Sequence, residues 1–411
     1  MKIVIIGAGN GGVWTALHYA YHTRKIGNVE VELIHDPEID SFPVGQALFP
    51  GQSTLLYFAC DANWYHNEMR ATPKLGILYE NWSKKTPILY HEFPFDNVAM
   101  QADPKYLQRY ILNSGLFAVK EENVIDLDTV DADVIFDCRG NIGKDNIEYE
   151  SLYCPVNSVL LAVGPTPAKP QLWSRHVATP DGWTFVIPNT TETLSYGYLY
   201  NSDITSIEEA KTNFGEVFPE AKGSYSQHFE HKDEIKNLPF KSYIAKEPLR
   251  IDSNGRKIIL NGNRLAFIEP METTAIGLYI AMARSCFDWA TSGSLSCDSP
   301  QELAHHKFIN IKLKNKITFR IKKTIYDTHT FILWHYTKGS IYDTPFWKKA
   351  QAETSSIFEQ PNKEFENLVN IAKSTDYIEM EPIDVSADPQ YPIFGVHPIQ
   401  SIKRWYEGYI I

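Results

Sequence analysis

The chain has 411 residues, 43% of them hydrophobic and 13% aromatic, with a formal net charge of −11. This length allows one large α/β unit or two interleaved ones, with aromatic side chains to spare for a ligand cavity. The negative charge argues against nucleic acid or an anionic membrane as a main partner. Five scattered cysteines without a CxxC pair favour reduced thiols in a cytoplasm, and the histidines form no HExxH metal motif.

Hydropathy predicts neither a membrane span nor a signal peptide. No apolar run approaches the roughly 20 residues that cross a bilayer. Met1 leads directly into a strand-like run, which leaves no room for a leader. The basic stretch Lys307–Lys323 carries isoleucine or leucine at every fourth position, so we interpret it as an amphipathic helix with a solvated basic face.

The beginning of the chain predicts a βαβ unit. Lys2–Gly7 is a short β-branched run, typical of a strand buried on both faces of a parallel sheet. A helix is predicted from about Val13 to Thr23 and a second strand at Val29–His35. We therefore expect a doubly wound α/β fold.

Three glycines lie between the first strand and the helix. Gly7, Gly9 and Gly12 form a G-x-G-x-x-G pattern. The first permits a tight turn, the second lets the backbone approach a pyrophosphate, and the third allows close packing of helix on strand. The free N–H groups of the helix end then favour phosphate. FAD and NAD share this pattern, and a glycine turn that binds nothing is the alternative.

An acidic residue at the end of the second strand would hold the ribose hydroxyls. His35 and Asp36 occupy that position, and Asp36 is the candidate. A solvated turn aspartate before Pro37 explains the residue nearly as well.

Further elements follow in chain order. Strands are predicted over Lys74–Tyr90, with a turn at Ser83–Pro87, at Asp133–Cys138, and as an antiparallel sheet over Asn157–Asn201; helices are predicted over Thr273–Thr291 and Glu302–Tyr336. We expect residues 1–300 to form the cofactor module, interleaved with a substrate-side sheet at about 150–205. Residues 301–411 are expected to form a mainly helical region that completes the substrate site.

Several motifs beyond the glycine turn carry a resemblance. They are Val44-Gly45-Gln46-Ala47 with Pro50, Pro73–Gly76 through Asn81-Trp82, Asp133–Gly140, Gly182–Pro188 (GWTFVIP), Phe267–Ala275 (FIEPMETTA), and His335-Tyr336 followed by Asp343–Trp347. These segments resemble, in the same order, landmarks of the flavin-dependent tryptophan halogenases, and the chain resembles a compact, phage-type branch of that family.

The resemblance implies a fold and a chemistry. The fold is a Rossmann-type, p-hydroxybenzoate-hydroxylase-like FAD domain with an interleaved antiparallel sheet. Reduced FAD, supplied by a separate flavin reductase, would react with oxygen to give a flavin hydroperoxide, which oxidises a halide to hypohalous acid. A lysine would relay that oxidant to an electron-rich aromatic substrate such as an indole or a phenol. The location would be cytoplasmic (the host's, if the chain is virus-encoded), and homo-oligomerisation is left open.

By motif position the catalytic lysine is Lys74 and the glutamate beside it is Glu272. A neutral Lys74 amine could form a haloamine, whereas its ammonium could donate a hydrogen bond to hypohalous acid. Burial favours the neutral amine and Glu272 favours the ammonium, so both routes stay open. The alternative for Lys74 is a surface lysine on an edge strand, and for Glu272 a plain helix cap. Lys74, Gly76, Leu78 and Glu80 are predicted to share one face of a single strand.

The remaining site residues divide by role. The predicted cofactor-binding residues are Gly7, Gly9, Gly12, Asp36, Val44, Gly45, Gln46, Ala47 and Gly262. The backbone N–H groups of Thr274 and Ala275, at the start of a helix, are the expected halide site. The residues predicted to line the substrate site or tunnel are His91, Phe93, Trp183, Phe185 and Pro188; ordinary core aromatics are the alternative. No metal site is predicted.

Three residues depart from the family pattern. Gln46 replaces an acidic residue, Phe185 replaces a tryptophan, and Ala275 replaces a glycine. Because Ala275 lies at the expected halide site, the preference among chloride, bromide and iodide stays open. Residues 350–411 show no clear match to the family's substrate lid, so we expect a more open site that accepts free phenols or indoles.

Other functions compete with halogenation. A flavin-dependent aromatic monooxygenase would share the fold and cofactor but would not need Lys74. A non-catalytic FAD-binding protein would fit if the departures at Gln46, Phe185 and Ala275 had abolished the chemistry. An NAD-dependent dehydrogenase fits only the first forty residues.

Overall fold

A computed structural model describes residues 1–39, 46–65, 67–93, 97–140, 147–167, 169, 171–190, 192–221, 224–225, 231–232, 235–292, 300–359, 362–374 and 393–410. The strands are β1 (Lys2–Ile6), β2 (Glu30–His35), β3 (Gln46–Ala47), β4 (Thr72–Lys74), β5 (Gly76–Glu80), β6 (Ile88–Glu92), β7 (Ala99–Ala102), β8 (Ala118–Glu121), β9 (Val134–Asp137), β10 (Tyr149–Leu152), β11 (Ser158–Pro165), β12 (Trp173–Thr179), β13 (Gly182–Pro188), β14 (Thr193–Tyr200), β15 (Ser224–Tyr225), β16 (His231–Lys232), β17 (Lys236–Pro239), β18 (Ser242–Ala245), β19 (Leu249–Ile251), β20 (Lys257–Leu260), β21 (Ala266–Phe267), β22 (Ile393–Phe394) and β23 (His397–Pro398).

The α-helices are α1 (Asn10–Thr23), α2 (Pro50–Cys60), α3 (Pro104–Leu112), α4 (Ile207–Val217), α5 (Thr274–Ser285), α6 (Phe287–Thr291), α7 (Pro300–Tyr336), α8 (Pro345–Glu359), α9 (Lys363–Ser374) and α10 (Ile399–Trp405). Short 3₁₀ turns cover Leu127–Thr129, Gly262–Arg264 and Met271–Thr273, and a π-helical turn, Tyr406–Ile410, follows α10.

A largely parallel sheet forms the centre of the cofactor module. Within the described ranges its order is β19-β20-β9-β1-β2-β8, and only the β19–β20 pair is antiparallel. Ile3, Val4 and Ile5 of β1 have no exposed surface because helices and loops cover both faces of the sheet. The predicted βαβ unit is confirmed, with α1 three residues longer at its start than expected.

A second, mainly antiparallel sheet lies beside it, in the order β17-β11-β14-β13-β12-β5-β6. Side chains alternate along β13: Trp183, Phe185 and Ile187 belong to the main core shared with the cofactor module, whereas Val186 packs in the smaller cluster beneath α4. The sheet therefore presents one face to the cofactor module.

The chain changes sheets at Leu75, which corrects one prediction. Lys74 ends β4, which pairs with β7 in a small separate sheet, whereas β5 pairs with β6 and β12 in the seven-stranded sheet. The N–H of Leu75 donates to the carbonyl of Leu172. Lys74 therefore does not share a strand face with Gly76, Leu78 and Glu80.

The amphipathic helix predicted around Lys307–Lys323 is part of α7. Ile317, Ile321 and Ile325 are buried, whereas Ile309 is 46% exposed, so the apolar stripe is buried only in the later part of the helix. None of the helices within the described ranges combines the length and apolarity needed to cross a membrane.

Candidate active site

The glycine turn between β1 and α1 has the geometry of a phosphate cradle. Gly7 has φ +105°, and a methyl on Gly12 would lie 1.7 Å from the Gly7 carbonyl oxygen, so both positions require glycine. A methyl on Gly9 would meet no atom within 4 Å, which leaves open space at the start of α1. No side chain caps that helix end, and its first turn carries no acidic residue. A flavin pyrophosphate fits this space and this positive helix end.

Gly262 and Gly11 bring two parts of the cofactor module into backbone contact. A methyl on Gly11 would lie 2.5 Å from the Cα atom of Gly262, which itself has φ +63°. Asn261 holds this contact, donating from Nδ2 to Thr15 Oγ1 at 2.8 Å and to the carbonyl of Tyr279 at 2.9 Å. The starts of α1 and α5 are thereby fixed relative to each other. Gly11 was not predicted; its signal was the additional glycine of GAGNGG.

The other proposed cofactor residues lie at the same edge or outside the described residues. Asp36 follows β2 and accepts from the N–H of Glu38 at 2.9 Å, the turn geometry that was the alternative to ribose binding. Gln46 and Ala47 form β3, paired with β7. Val44 and Gly45 lie outside the described residues.

Lys74 is completely buried, and its amine is held beside Glu272. Its Nζ donates to Thr273 Oγ1 at 3.1 Å and lies 5.6 Å and 5.3 Å from the ring centres of Phe49 and Phe93. Burial lowers the pKa of Lys74 to about 7, against the raising effect of Glu272. A substantial share of the amines is therefore neutral at neutral pH, in place of about one in a thousand for a solvated lysine.

Glu272 does not cap α5. Glu272 and Thr273 have φ +60° and +54°, in the left-handed region that non-glycine residues seldom adopt, and α5 begins at Thr274. No side chain caps α5, so the first-turn N–H groups at Thr274 and Ala275 keep their capacity to bind an anion. Thr274 is buried and Ala275 is half-buried.

The Glu272 carboxylate instead turns into a cluster of tyrosine and histidine side chains. The Tyr79 hydroxyl donates to Oε1, and His335 Nε2 lies 2.9 Å from the same atom. Burial alone would raise the pKa of Glu272, but His91 and His335 lower it well below its usual range. Burial also lowers the pKa of His91, and it lowers that of His397 to about 4. The hydrogen bond at His335 adds to the lowering of the Glu272 pKa.

One tunnel candidate, Trp183, contacts a second buried glutamate, and Phe185 and Pro188 lie on the same strand as Trp183. Trp183 donates from Nε1 to Glu269 Oε2 at 3.0 Å, and the Tyr336 hydroxyl donates to the same oxygen at 2.7 Å. Burial raises the pKa of Glu269 to about 7, despite these two donors. The buried Phe185 ring packs on Gly197, where a methyl would lie 2.0 Å from the ring. Pro188 is buried at the end of β13.

His91 and Phe93 lie on opposite sides of the pair formed by Lys74 and Glu272. Nδ1 of His91 is 3.7 Å from Glu272 Oε1, and Phe93 lies against Lys74. The structure therefore brings the catalytic and acceptor-site candidates together. Sequence analysis did not assign a role to Tyr79, Thr273 or Glu269, although Thr273 and Glu269 belong to the FIEPMETTA motif.

Part of the C-terminal region packs against this cluster, and the expectation of a more open substrate site stays a prediction. Residues 393–410 cover the cluster: the Trp405 ring centre is 4.0 Å from that of His335 and 4.9 Å from that of Tyr79. Arg404 holds α10 in place by donating to a carbonyl of β6 at 2.9 Å and pairing with a carboxylate of that strand at 3.0 Å. The C-terminal segment thus forms a wall of the site, without a sequence match to the family's lid.

Among the described residues, no group of three or more histidine, cysteine, aspartate or glutamate side chains is arranged to hold a metal ion. The arrangement instead provides an amine of lowered pKa, an ionised carboxylate and an open helix end.

Solved structures share this fold. Tryptophan 6-halogenase SttH from Streptomyces toxytricini is 17% identical, with a TM-score of 0.73 over 99% of this chain and 90% of that one. BrvH, a flavin-dependent halogenase from Brevundimonas sp. BAL3, is 16% identical, with a TM-score of 0.69 over 100% and 90%. A tryptophan halogenase from Shewanella frigidimarina is 14% identical, with a TM-score of 0.72 over 100% and 88%. The fold is that of the flavin-dependent halogenases.

At the sequence level, no curated protein matches the chain. The tryptophan halogenase family profile matches residues 2–116 and 118–381. The chain therefore belongs to the tryptophan halogenase family, a family of flavin-dependent enzymes whose cofactor is FAD.

Proposed function

We propose that the chain is a halogenase that uses reduced FAD, oxygen and a halide ion to halogenate an electron-rich aromatic compound, such as an indole or a phenol. The observation that carries this proposal is the position of Lys74. Its amine is buried and held 3.1 Å from Thr273, next to the ionised Glu272. A hydroxylating flavoenzyme has no use for a buried lysine at that point.

The glycine turn and the Gly11–Gly262 contact would hold the FAD pyrophosphate, with Asp36 toward the ribose and Gln46 and Ala47 on the facing loop strand. When bound, reduced FAD supplies, with oxygen, the oxidising equivalent that turns a halide into hypohalous acid. A separate flavin reductase is the expected source of the reduced cofactor.

The start of α5 is the proposed halide site. Its first-turn N–H groups, at Thr274 and Ala275, point out of the helix, and the Glu272 carboxylate is drawn away from them by Tyr79 and His335. This separation matters because a carboxylate at the helix end would repel an anion. The methyl of Ala275 limits close approach, and bromide or iodide could suit the site as well as chloride.

Lys74 would take the oxidant from hypohalous acid toward the substrate. With a pKa of about 7, the amine can lose its proton and form a nitrogen–halogen bond, or keep it and donate a hydrogen bond to the oxidant. The Phe49 and Phe93 rings exclude water from the amine, which protects the oxidant from side reactions.

Glu272 would accept the proton that the aromatic ring loses. An electron pair of the aromatic ring forms the new carbon–halogen bond. The carbon–hydrogen bond at that carbon then breaks: its electron pair restores the aromatic ring, and its proton passes to the carboxylate. The hydroxide of hypohalous acid takes a proton from the Lys74 ammonium and leaves as water, and the ring proton held by Glu272 later restores that ammonium, so aromatic compound plus hypohalous acid gives halogenated product plus water. A carboxylate of lowered pKa stays ready for this role at neutral pH.

A halide-dependence assay tests the proposal. The protein is given FAD, a flavin reductase with NADH, oxygen, and bromide with a reactive phenol or indole, and products are identified by mass spectrometry. We expect a brominated product with the wild type. Lys74→Met keeps an unbranched side chain, one atom shorter and without the amine, and should lower product formation at least 10²-fold, while flavin oxidation and peroxide release continue.

The matched control is Lys257→Met. Lys257 is another lysine with a pKa lowered by burial, to about 8, and it donates to the carbonyl of Trp289, outside the active site. This variant should keep its halogenation activity. A hydroxylated product that forms without halide would replace the proposal with a monooxygenase. Bromination by Lys74→Met at the wild-type rate would refute the role of the lysine.

A further inference from the structure

We propose that His335 and Tyr79 are positioning residues that hold Glu272 by its Oε1 atom, so that Oε2 is the oxygen that accepts the substrate proton. This inference rests on the proposed function, because Oε2 has a reacting partner only if Glu272 acts on a substrate. It assigns a specific task to each carboxylate oxygen.

The polar contacts of the Glu272 carboxylate all involve its Oε1 atom. Oε1 accepts from the Tyr79 hydroxyl, lies 2.9 Å from His335 Nε2, and is 3.7 Å from His91 Nδ1. Within the part of the chain that the structure describes, no hydrogen bond reaches Oε2. A carboxylate fixed at one oxygen cannot rotate freely, so the direction of the other oxygen is set by Tyr79 and His335.

His335 is itself held between two acceptors. Its Nδ1 lies 2.8 Å from the carbonyl oxygen of Phe331, one turn earlier in α7, and its Nε2 faces Glu272. A carbonyl and a carboxylate can only accept, so both ring nitrogens of His335 face acceptors and the ring is held between them. Trp405 lies against the ring at 4.0 Å and keeps water from it.

Other titratable groups also surround the carboxylate. The neighbouring elements contribute His91 from β6, His176 from β12, His397 from β23, Lys74 from β4, and Tyr409 from the final turn. Burial lowers the pKa of His91, and it lowers that of His176 to about 3 and that of His397 to about 4, so the last two rings are neutral at pH 7. Lys74 hydrogen-bonds to Thr273, not to the carboxylate.

The backbone at Glu272 agrees with this assignment. Two successive non-glycine residues, Glu272 and Thr273, adopt positive φ values, and such a conformation persists only where surrounding contacts impose it. It points the carboxylate away from α5, toward Tyr79 and His335, and leaves Thr273 Oγ1 to accept from Lys74.

The first test reads the proton on Glu272 without cofactor, halide or substrate. His335→Gln removes the imidazole whose contact with Oε1 helps to lower the pKa of Glu272. Infrared difference spectra at pH 6 to 7 should then show the carbonyl band of a protonated carboxyl that is absent from His335→Gln/Glu272→Gln. The double variant is needed because Glu269 contributes its own protonated band. Tyr79→Phe removes one donor hydroxyl and should give the same band more weakly.

The control is His18→Gln, which replaces a buried histidine of α1 outside the active site. It should give no new carboxyl band. If neither His335→Gln nor Tyr79→Phe protonates Glu272, the positioning role is refuted. Should His335→Gln fail to fold, the Tyr79→Phe spectrum decides the question alone, since that change removes a single oxygen.

The second test is the pH dependence of kcat for bromination. In the wild type the limb set by Glu272 should lie below pH 5, apart from any change near pH 7 that comes from Lys74. In His335→Gln the Glu272 limb should move upward by at least one pH unit, so that kcat on its acidic side is reduced at least tenfold and recovers at alkaline pH. A purely structural defect would lower kcat at every pH and would count against the proposal. A further outcome separates the two proposals. If the Glu272 carboxyl band appears in His335→Gln but neither the wild type nor any variant makes a brominated product, the proposed function is refuted and the positioning role stands.

Discussion

The Nζ atom of Lys74 and the Oγ1 atom of Thr273 are 3.1 Å apart, although 199 positions separate the two residues in the sequence. The contact joins the end of β4 to the turn that carries Glu272. It places an amine of lowered pKa where a carboxylate of lowered pKa is also held, in a region from which the aromatic rings exclude water. This combination has a consequence for stability that can be measured without any substrate.

Replacing Lys74 by methionine should change how the stability depends on pH. The pKa of Lys74 falls from 10.5 in the unfolded chain to about 7 in the folded one. Between these values the unfolded chain binds a proton that the folded chain does not, so wild-type stability decreases as pH falls from 10 to 7 and this effect levels off below 7. The stability of Lys74→Met relative to wild type should therefore rise as the pH falls from 10 to 7, by up to about 4 kcal/mol. Urea unfolding at pH 7, 8, 9 and 10 measures it, and a difference that does not change with pH would contradict the pKa of Lys74.

Gly9→Ala should weaken FAD binding without unfolding the protein. A methyl at Gly9 meets no protein atom within 4 Å, so it would project into the space assigned to the pyrophosphate. We expect the Kd for FAD to rise at least tenfold, about 1.4 kcal/mol. Gly215→Ala is the control, since its methyl is equally unobstructed but lies on α4, where alanine stabilises a helix by up to about 1 kcal/mol. Flavin fluorescence titration measures both affinities. If Gly9→Ala and Gly215→Ala bind FAD equally well, the glycine turn is not part of the FAD site.

Local sequence was sufficient to predict the βαβ unit at the start of the chain. The glycine spacing and the β-branched runs are short-range patterns, and the structure has β1, α1 and β2 where these patterns predicted them. The chain's change of sheet at Leu75 was not predicted, because the run from Lys74 onward alternates as one continuous strand would. Only the partners of β4 and β5, which are distant in sequence, separate the two strands.

The candidate site was likewise predicted only in part. Lys74 and Glu272 could be named from their motifs, but the groups that hold Glu272 could not. Tyr79 and His335 lie 193 and 63 positions from Glu272, and their hydrogen bonds depend on how β5 and the end of α7 pack around the turn that carries Glu272. Trp405 was missed for a related reason: a single tryptophan near the end of the chain gives no local signal that it will pack against His335.

Gly395→Ala should release the C-terminal segment from α7. Gly395 has φ +65°, and a methyl there would lie 2.2 Å from Thr328 Oγ1 and 2.5 Å from the Thr328 nitrogen. We expect residues 393–410 to exchange amide hydrogen at least tenfold faster, since α10 would lose its attachment through β22 and β23. Gly255→Ala is the matched control, because Gly255 also has a positive φ, +80°, but its methyl would meet no atom. Hydrogen-exchange mass spectrometry compares them, and unchanged exchange at 393–410 in Gly395→Ala would show that this contact does not hold the segment.

Acid should destabilise the protein through its buried neutral histidines. Burial lowers the pKa of His18 and His176 to about 3 and that of His397 to about 4, against 6.5 in the unfolded chain. Near pH 5 the unfolded chain therefore binds three protons that the folded chain does not. Glu269 acts in the opposite direction, because its pKa rises to about 7 and the folded chain holds that proton.

A net difference of about two protons predicts that the free energy of unfolding falls by about 2.7 kcal/mol per pH unit as pH decreases through 5. Urea unfolding at intervals between pH 4.5 and 6 gives the slope. His18→Met removes one titrating ring far from Glu272 and should reduce the slope by about 1.4 kcal/mol per pH unit. Because a methionine side chain cannot take up a proton in either state, an unchanged slope in this variant would mean that His18 is already protonated in the folded protein.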